Sequence, residues 1–180
     1  VAGGPEIGPV ADQYLSAHPT LDVGIHDEGE AVFLDLIKYY LAGKGKLEAI
    51  PGISFRRGDS VVRNPDRAPI KDLDEIPSPY LTGILTPRDG VTYVQSFRGC
   101  PFRCGFCYEA GRHKGLRFFS YDRVQAEIEL IMGNPGIRSF HFVDSVFNLN
   151  TKHLKTISGI LGSKNRRGTR LRTIEVFAEN

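Results

Sequence analysis

The sequence predicts an α/β protein, and three observations support this class. Apolar runs of strand length alternate with amphipathic helical segments at both ends of the 180-residue chain. Hydrophobic residues make up 41% and charged residues 24%, which is a globular composition. No apolar run approaches the roughly 20 residues that span a bilayer. We therefore expect a soluble protein in which helices connect parallel strands.

Residues 1–42 have the pattern of the end of an α/β unit. A Gly-Gly-Pro turn at positions 3–5 leads into a predicted short helix over 10–17 and a strand over 21–25. Residues 29–41 carry apolar side chains at spacings of three and four, which indicates an amphipathic helix with acidic residues at its start. This alternation predicts a parallel sheet.

Residues 43–90 have a different pattern. Residues 53–55 and 60–62 are short strand-like segments on either side of Arg57-Gly58-Asp59, and together they predict a small hairpin. Five prolines follow between 65 and 87, too many for a continuous strand or helix. We interpret this segment as an inter-domain linker with a small hairpin.

Residues 91–180 return to alternation. The predicted elements are a strand at 91–96, a helix at 122–132 capped by Ser120, a strand at 140–143, a helix at 151–161 and a strand at 174–178. Three such units in a row suggest an open or closed (β/α) barrel, whose chemistry lies on loops after the carboxyl ends of the strands.

The three cysteines, Cys100, Cys104 and Cys107, lie within eight residues after the first of these strands. An odd, clustered set argues against a disulfide framework and for metal ligation in a reducing compartment. Three thiolates on a four-iron cluster leave one iron open for chemistry, and Gly99 and Gly105 permit tight turns between the ligands. The alternative is a zinc site with His113 as the fourth ligand.

The Cys-x3-Cys-x2-Cys spacing, with aromatic Phe106 before the third cysteine, closely resembles the radical S-adenosylmethionine (SAM) superfamily. The resemblance implies a [4Fe–4S] cluster held by the three cysteines, whose open iron binds SAM. In that family one electron cleaves SAM to methionine and a 5′-deoxyadenosyl radical. It also implies that Phe106 lies beside the adenine, mainly through its backbone.

The front end resembles the last part of the cobalamin-binding Rossmann-like domain that precedes the barrel in many radical SAM enzymes. The matching residues are Gly3-Gly4-Pro5-Glu6, residues 22–30 with Asp27-Glu28-Gly29-Glu30 in place of the usual Gly-Glu-Gly-Glu, and linker segments 50–53 and 72–80. The resemblance implies cobalamin close to the backbone of Gly3 and Gly4. We expect His18 and His26 to be surface histidines and not a ligand of cobalamin.

These resemblances imply three parts: residues 1–42 as the C-terminal part of the cobalamin-binding domain, 43–90 as the linker, and 91–180 as the N-terminal part of a TIM-type radical SAM barrel. We expect the sequence to be a piece of a longer protein, because it starts without Met and as if just after a strand.

Two acidic residues follow the second and third barrel strands. Asp144 and Glu179 are therefore candidates for polar contacts to SAM, with Asp144 as a cap of its own loop as the alternative. The basic stretches at 112–115 and 164–172 are interpreted as solvated loops. With a formal net charge of +2, we expect no nucleic-acid partner and no membrane partner.

The expected function is radical SAM chemistry in a cobalamin-dependent enzyme of the cytoplasm, with methyl transfer to an unactivated carbon as the favoured reaction. The alternatives are another radical SAM reaction (cyclisation, rearrangement or sulfur insertion) or a non-catalytic zinc-binding module. The expected partners are a small-molecule or peptide substrate and a flavodoxin- or ferredoxin-type electron donor.

Overall fold

The structure, a computed structural model, describes residues 1–43, 45–107, 115–165 and 175–178, with the backbone alone for 163–165 and 175–178. It is an α/β structure with two compact units, Val1–Ile70 and Lys71–Asn180, called here the first and second units. Among the described residues, no helix combines the length and the apolar character needed to cross a membrane.

The first unit contains two helices and three strands. They are α1 (Ala11–Ala17), β1 (Val23–Ile25), α2 (Gly29–Ala42), β2 (Ile53–Arg57) and β3 (Ser60–Arg63). The strands form one sheet in the order β1-β2-β3, with both pairings antiparallel. On the other edge of β1, Ala2 makes a parallel bridge to Gly24. The parallel pairing expected for residues 1–42 is therefore limited to this one bridge, and the other strand pairings of the first unit are antiparallel.

The predicted hairpin forms, but it is part of the first unit. Strand β2 pairs with β1 so that Val23 lies opposite Phe55 and Ile25 opposite Ile53. The side chains at this pairing share one apolar core with α2: Val23, Ile25, Val32, Leu36, Ile50, Ile53 and Phe55. Burying this face stabilises the pairing, so residues up to 70 complete the first unit where the sequence suggested a linker over 43–90.

His26 lies at the carboxyl end of β1 and is buried, at 3% exposure. Its Nδ1 is 2.8 Å from the carboxylate of Asp66 and its Nε2 is 2.9 Å from the hydroxyl of Ser54. The expectation of a surface histidine is wrong for His26, because the hairpin covers this end of the strand, and right for exposed His18. Burial lowers the pKa of His26, although the hydrogen bond with Asp66 acts in the opposite direction.

The second unit contains the predicted βα units. Its elements are β4 (Tyr93–Val94), β5 (Phe97–Arg98), β6 (Arg117–Phe118), α3 (Tyr121–Gly133), β7 (Ser139–Phe142), α4 (Thr151–Asn165) and β8 (Glu175–Ala178). Strands β4, β7 and β8 form a parallel sheet in that order. Ser120 caps α3 as predicted, since its hydroxyl accepts a hydrogen bond from Arg123 N–H at 3.2 Å.

The pairing of β4 with β7 is short, and an aspartate lies at each end of it. Only Tyr93–His141 and Val94–Phe142 are paired. At the amino ends of the strands, Asp89 accepts hydrogen bonds from the backbone N–H groups of Arg138 and Ser139 at 2.7 and 2.8 Å. These hydrogen bonds, with one from the Arg138 side chain, lower the pKa of Asp89 to about 2. Asp144 lies at the carboxyl ends.

Acidification should loosen the sheet of the first unit. Because folding lowers the pKa of His26, the unfolded chain takes up a proton before the folded chain does. The stability contributed by neutral His26 is present above the ordinary histidine pKa of about 6.5 and is lost as pH falls below it. We predict that β1 and β2 exchange amide hydrogens faster, after correction for intrinsic rates, at pH 5 than at pH 7.

The variant His26→Gln should reduce this pH dependence, because the amide does not titrate and can still bond Ser54. Hydrogen-exchange mass spectrometry of peptides covering Val23–Ile25 and Ile53–Arg57 measures it. His18→Gln, at an exposed position, serves as the control. An equal pH dependence in both variants would contradict the role given to His26.

Candidate functional site

The three cysteines lie in the segment that joins β5 to β6, called here the cysteine loop, of which the structure describes residues 99–107, 115 and 116. The loop is closed at its base by two short segments, residues 96–98 and 117–119, called here the neck. Within the neck, β5 and β6 pair antiparallel, with Phe97 opposite Phe118. The N–H of Phe119 donates to the carbonyl of Ser96 at 3.0 Å. This closure was not predicted from the sequence, and it holds both ends of the loop together.

Gly99 is required where the neck meets the loop. Its φ is +100°, in the left-handed region that favours glycine. A Cβ atom at this position would lie 2.7 Å from the carbonyl oxygen of Gly115, which is too close. Gly105 lies in a turn with an ordinary backbone and open space around it. The expected need for glycine is therefore confirmed at Gly99 and not at Gly105.

The cysteines are unpaired thiols within reach of solvent. Cys104 is exposed, and Cys100 and Cys107 are half-buried. A β-turn links the last two, because the N–H of Cys107 donates to the carbonyl of Cys104 at 3.0 Å. Phe106 lies on this turn with 95% of its side chain exposed.

The donor set fits an iron–sulfur cluster, although the side chains are not gathered in advance. Three soft thiols on one short accessible loop, with none in a disulfide, suit thiolate ligation. In the part of the chain that the structure describes, no group of three His, Cys, Asp or Glu side chains is arranged to hold a metal. Metal binding supplies such order itself in many small sites. His113, the fourth ligand of the zinc alternative, lies outside the described residues.

Asp144 connects the end of β7 to the start of the neck. Its Oδ1 accepts hydrogen bonds from the backbone N–H groups of Ser96 and Phe97 at 2.7 and 3.2 Å, and its Oδ2 accepts the hydroxyl of Ser96 at 2.5 Å. The side chain is 1% exposed. Burial raises the pKa of Asp144, while these hydrogen bonds act to lower it. The predicted contact between Asp144 and SAM stays a prediction.

His153 continues this arrangement from α4. Its Nε2 is 3.1 Å from the hydroxyl of Ser96, and its Nδ1 is 3.2 Å from the hydroxyl of Tyr121. Burial lowers the pKa of His153, and Asp144 acts in the opposite direction. Ser96, Tyr121 and His153 were not predicted as site residues from the sequence. For His153 the available signal was helical spacing, since His153, Ile157 and Ile160 share the buried face of α4.

The other predicted site residues are placed as follows. Gly3 and Gly4 are exposed in the turn after the bridge residue Ala2. The φ of Gly4 is +97°, and its carbonyl accepts hydrogen bonds from Ile7 and Gly8, which begins a short 3-10 segment. Glu179 lies outside the described residues, as do the basic stretches at 112–114 and 166–172.

A second polar arrangement in the first unit has the order of a serine–histidine–aspartate triad. Ser54, His26 and Asp66 are joined by hydrogen bonds of 2.9 and 2.8 Å. In a hydrolase the serine oxygen must reach the substrate. Ser54 has no exposed surface, since its exposure is 0%. This arrangement therefore serves the packing of the sheet.

No protein-family model matches the chain. Among curated proteins, it is 30% identical over its whole length to the cobalamin-dependent radical SAM methyltransferase TokK of Streptomyces tokunonensis, of which it covers 28%. It is 36% identical, over 72% of the chain and 20% of the relative, to 2-(S-pantetheinyl)-carbapenam-3-carboxylate methyltransferase of Streptantibioticus cattleyicolor. It is 29% identical, over 78% of the chain and 24% of the relative, to the anaerobic magnesium-protoporphyrin IX monomethyl ester cyclase of Cereibacter sphaeroides.

Solved structures show the same fold. The methyltransferase TsrM of Kitasatospora setae, with cobalamin and a [4Fe–4S] cluster bound, superposes with a TM-score of 0.65 at 20% identity, over 93% of this chain and 34% of TsrM. The cobalamin-dependent enzyme OxsB, with aqua-cobalamin and SAM bound, gives a TM-score of 0.66 at 21% identity, over 97% of this chain and 25% of OxsB. The chain spans less than a third of the length of the three curated relatives.

We predict that Gly99→Ala opens the neck, whereas Gly105→Ala does not. The new methyl group would meet the carbonyl of Gly115 and would force a left-handed φ on alanine. Overpacking of this kind costs about 1–3 kcal/mol, so amides of residues 96–98 and 117–119 should exchange roughly fivefold faster or more. Hydrogen-exchange mass spectrometry measures both variants against the unmodified protein. Equal protection in the two variants would show that the close approach has no consequence.

Proposed function

We propose that this chain, a homologue of cobalamin-dependent radical SAM methyltransferases and related enzymes, is part of a radical SAM enzyme. In this proposal Cys100, Cys104 and Cys107 hold a [4Fe–4S] cluster. The observation that carries it is the position of three free thiols on one loop that leaves the carboxyl end of a parallel strand. That is the end at which α/β barrels carry their chemistry.

In this proposal residues 1–42, within the first unit, are the C-terminal part of a Rossmann-like cobalamin-binding domain, and residues 91–180, within the second unit, are the first βα units of a TIM-type barrel. The superposition with TsrM and OxsB supports the α/β fold on which this division rests.

The chain's own residues would bind and orient the cofactors. When bound, the cluster supplies the electron that cleaves SAM to methionine and a 5′-deoxyadenosyl radical. Three thiolates leave one iron without a protein ligand, and SAM would bind there. Phe106, on the turn between Cys104 and Cys107, would lie beside the adenine, mainly through its backbone.

Two acidic residues are proposed as further polar contacts to SAM. Glu179 follows the third barrel strand, where the ribose hydroxyls would be held. Asp144 likewise follows the carboxyl end of its strand, β7, and this position supports the proposed contact with SAM. Its buried side chain also accepts hydrogen bonds from Ser96 and Phe97, which hold the chain just after β4.

Cobalamin is proposed as the second cofactor, close to Gly3 and Gly4. Support comes from the exposed turn that these glycines form after a bridge parallel to β1. Glycine lets a backbone approach a ligand closely. TokK is named as cobalamin-dependent, and TsrM and OxsB are described with cobalamin bound.

The proposed reaction is methyl transfer to an unactivated carbon of a small molecule or peptide. Two of the curated relatives are named as methyltransferases, which favours this reaction. A third is named as a cyclase, so ring formation is the second candidate. An electron donor of the flavodoxin or ferredoxin type would reduce the cluster, and free thiols with an oxygen-sensitive cluster suit the reducing cytoplasm.

The cluster is tested by anaerobic reconstitution of the full-length protein. We predict about four irons per chain, a broad brown absorbance, and 5′-deoxyadenosine on addition of dithionite and SAM. Cys104→Ser should lose most of the iron and all of the 5′-deoxyadenosine, because serine is a poor ligand for this cluster. Arg103→Ser, at the adjacent exposed position, is the control. A colourless protein that binds one zinc would overturn the proposal in favour of the zinc module.

Cobalamin is tested separately, by a corrinoid absorption spectrum of full-length protein expressed with the vitamin. Gly4→Ala should lower the corrinoid content, since its methyl group would enter the open space beside the exposed turn, where the cofactor would approach the backbone. Gly43→Ala, at another exposed position with a positive φ and open space around it, should retain it. Absence of corrinoid from the unmodified protein would remove cobalamin from the proposal and leave the cluster untouched.

A further inference from the structure

Ser96 is the point at which the sheet is joined to the neck, and all of its polar groups are engaged. Its backbone N–H and its hydroxyl both donate to Asp144, which follows the carboxyl end of β7. Its carbonyl accepts a hydrogen bond from the N–H of Phe119 in the other segment of the neck. Its hydroxyl oxygen also faces His153. A shift of Ser96 would therefore disturb all of these hydrogen bonds together.

His153 contacts both segments of the neck. Its ring lies edge-on to Phe97 of β5 with centroids 5.4 Å apart, and 5.8 Å from the ring of Phe118 on β6. Tyr121, at the start of α3, lies 5.9 Å away on another side. The ring thus packs against aromatic side chains of both segments that close the cysteine loop.

The hydrogen-bond chain has one consistent direction when Asp144 is ionised. A serine hydroxyl carries a single hydrogen, and it goes to the carboxylate of Asp144, which lies 2.5 Å away. The contact with His153, at 3.1 Å, must then use a hydrogen on Nε2. Nδ1 is left as an acceptor for the hydroxyl of Tyr121. His153 is a neutral donor to Ser96 in this arrangement.

We infer that His153 is a positioning residue of the cluster site, which holds the neck of the cysteine loop closed by donating a hydrogen bond to Ser96. The inference rests on the proposed function insofar as the loop binds the cluster. Two strands of two residues each contribute few ladder hydrogen bonds, so the neck depends on side chains from other elements. Asp144, which follows β7, and His153, on α4, supply these side chains.

The role predicts a difference between two substitutions of similar size. His153→Gln can place an amide N–H near the position of Nε2 and keep the donor. His153→Met fills the space without a donor. In the cluster-free full-length protein, neck amides at residues 96–98 and 117–119 should exchange roughly fivefold faster in the Met variant, the effect of one net hydrogen bond, and near the unmodified rate in the Gln variant.

Three controls make the comparison specific. Lys155→Gln and Lys155→Met change an exposed position on the same helix and should leave the neck unchanged. Amides of Ser139–Phe142 report whether the sheet itself is folded. Ser96→Ala should open the neck as His153→Met does. In the Ser96→Ala background, His153→Gln and His153→Met should give the same neck exchange, because the hydroxyl that accepts the hydrogen bond is gone.

The second readout is the rate at which a chelator removes iron from the reconstituted full-length protein. We expect the Met variant to lose iron several times faster than the Gln variant. Equal neck exchange in the two variants, whether both match the unmodified protein or both are faster, would overturn the inference, since packing alone would then explain His153. Failure of the unmodified protein to bind iron would overturn the proposed function and leave the neck exchange test intact.

Discussion

The hydrogen bonds from the neck to Asp144 are the interaction on which the site depends. The pairing of β4 with β7 extends over two residues, so it defines the direction of the chain beyond Val94 only weakly. Asp144 extends that pairing with a carboxylate that accepts two backbone N–H groups and a hydroxyl. Hydrogen bonds to an ionised acceptor are about twice as strong as neutral ones. Here they fix the backbone at Ser96 and Phe97, where the segment that leads to Cys100 begins.

The site divides into an ordered base and an accessible tip. At the base, the two segments of the neck pair with each other, and Ser96 and Phe97 contact Asp144 and His153. These four residues are buried. At the tip, Cys104 and Phe106 are exposed, and the cysteine side chains are not drawn together. This division suits a loop whose ends are set by the protein and whose centre is organised by the ligand that it binds.

Much of this architecture follows from patterns that are local in the sequence. Helical spacing gave α2, α3 and α4 close to their observed bounds, and Ser120 gave the start of α3. The clustered cysteines and glycines predicted the loop after the first strand of the second unit. What could not be predicted depends on residues far apart in the chain. The pairing of β1 with β2 joins residues about thirty positions apart, and the two-residue strands of the neck are too short to show a period.

In the proposed function, three cysteines hold a cluster with one iron left for SAM. Mössbauer spectroscopy of full-length protein reconstituted with ⁵⁷Fe tests it most directly, because the spectrum reports each iron's ligands. We predict that adding SAM changes the signal of one iron in four and leaves the other three as they were. A spectrum that SAM does not change, or one in which all four irons are equivalent before and after, would contradict the account.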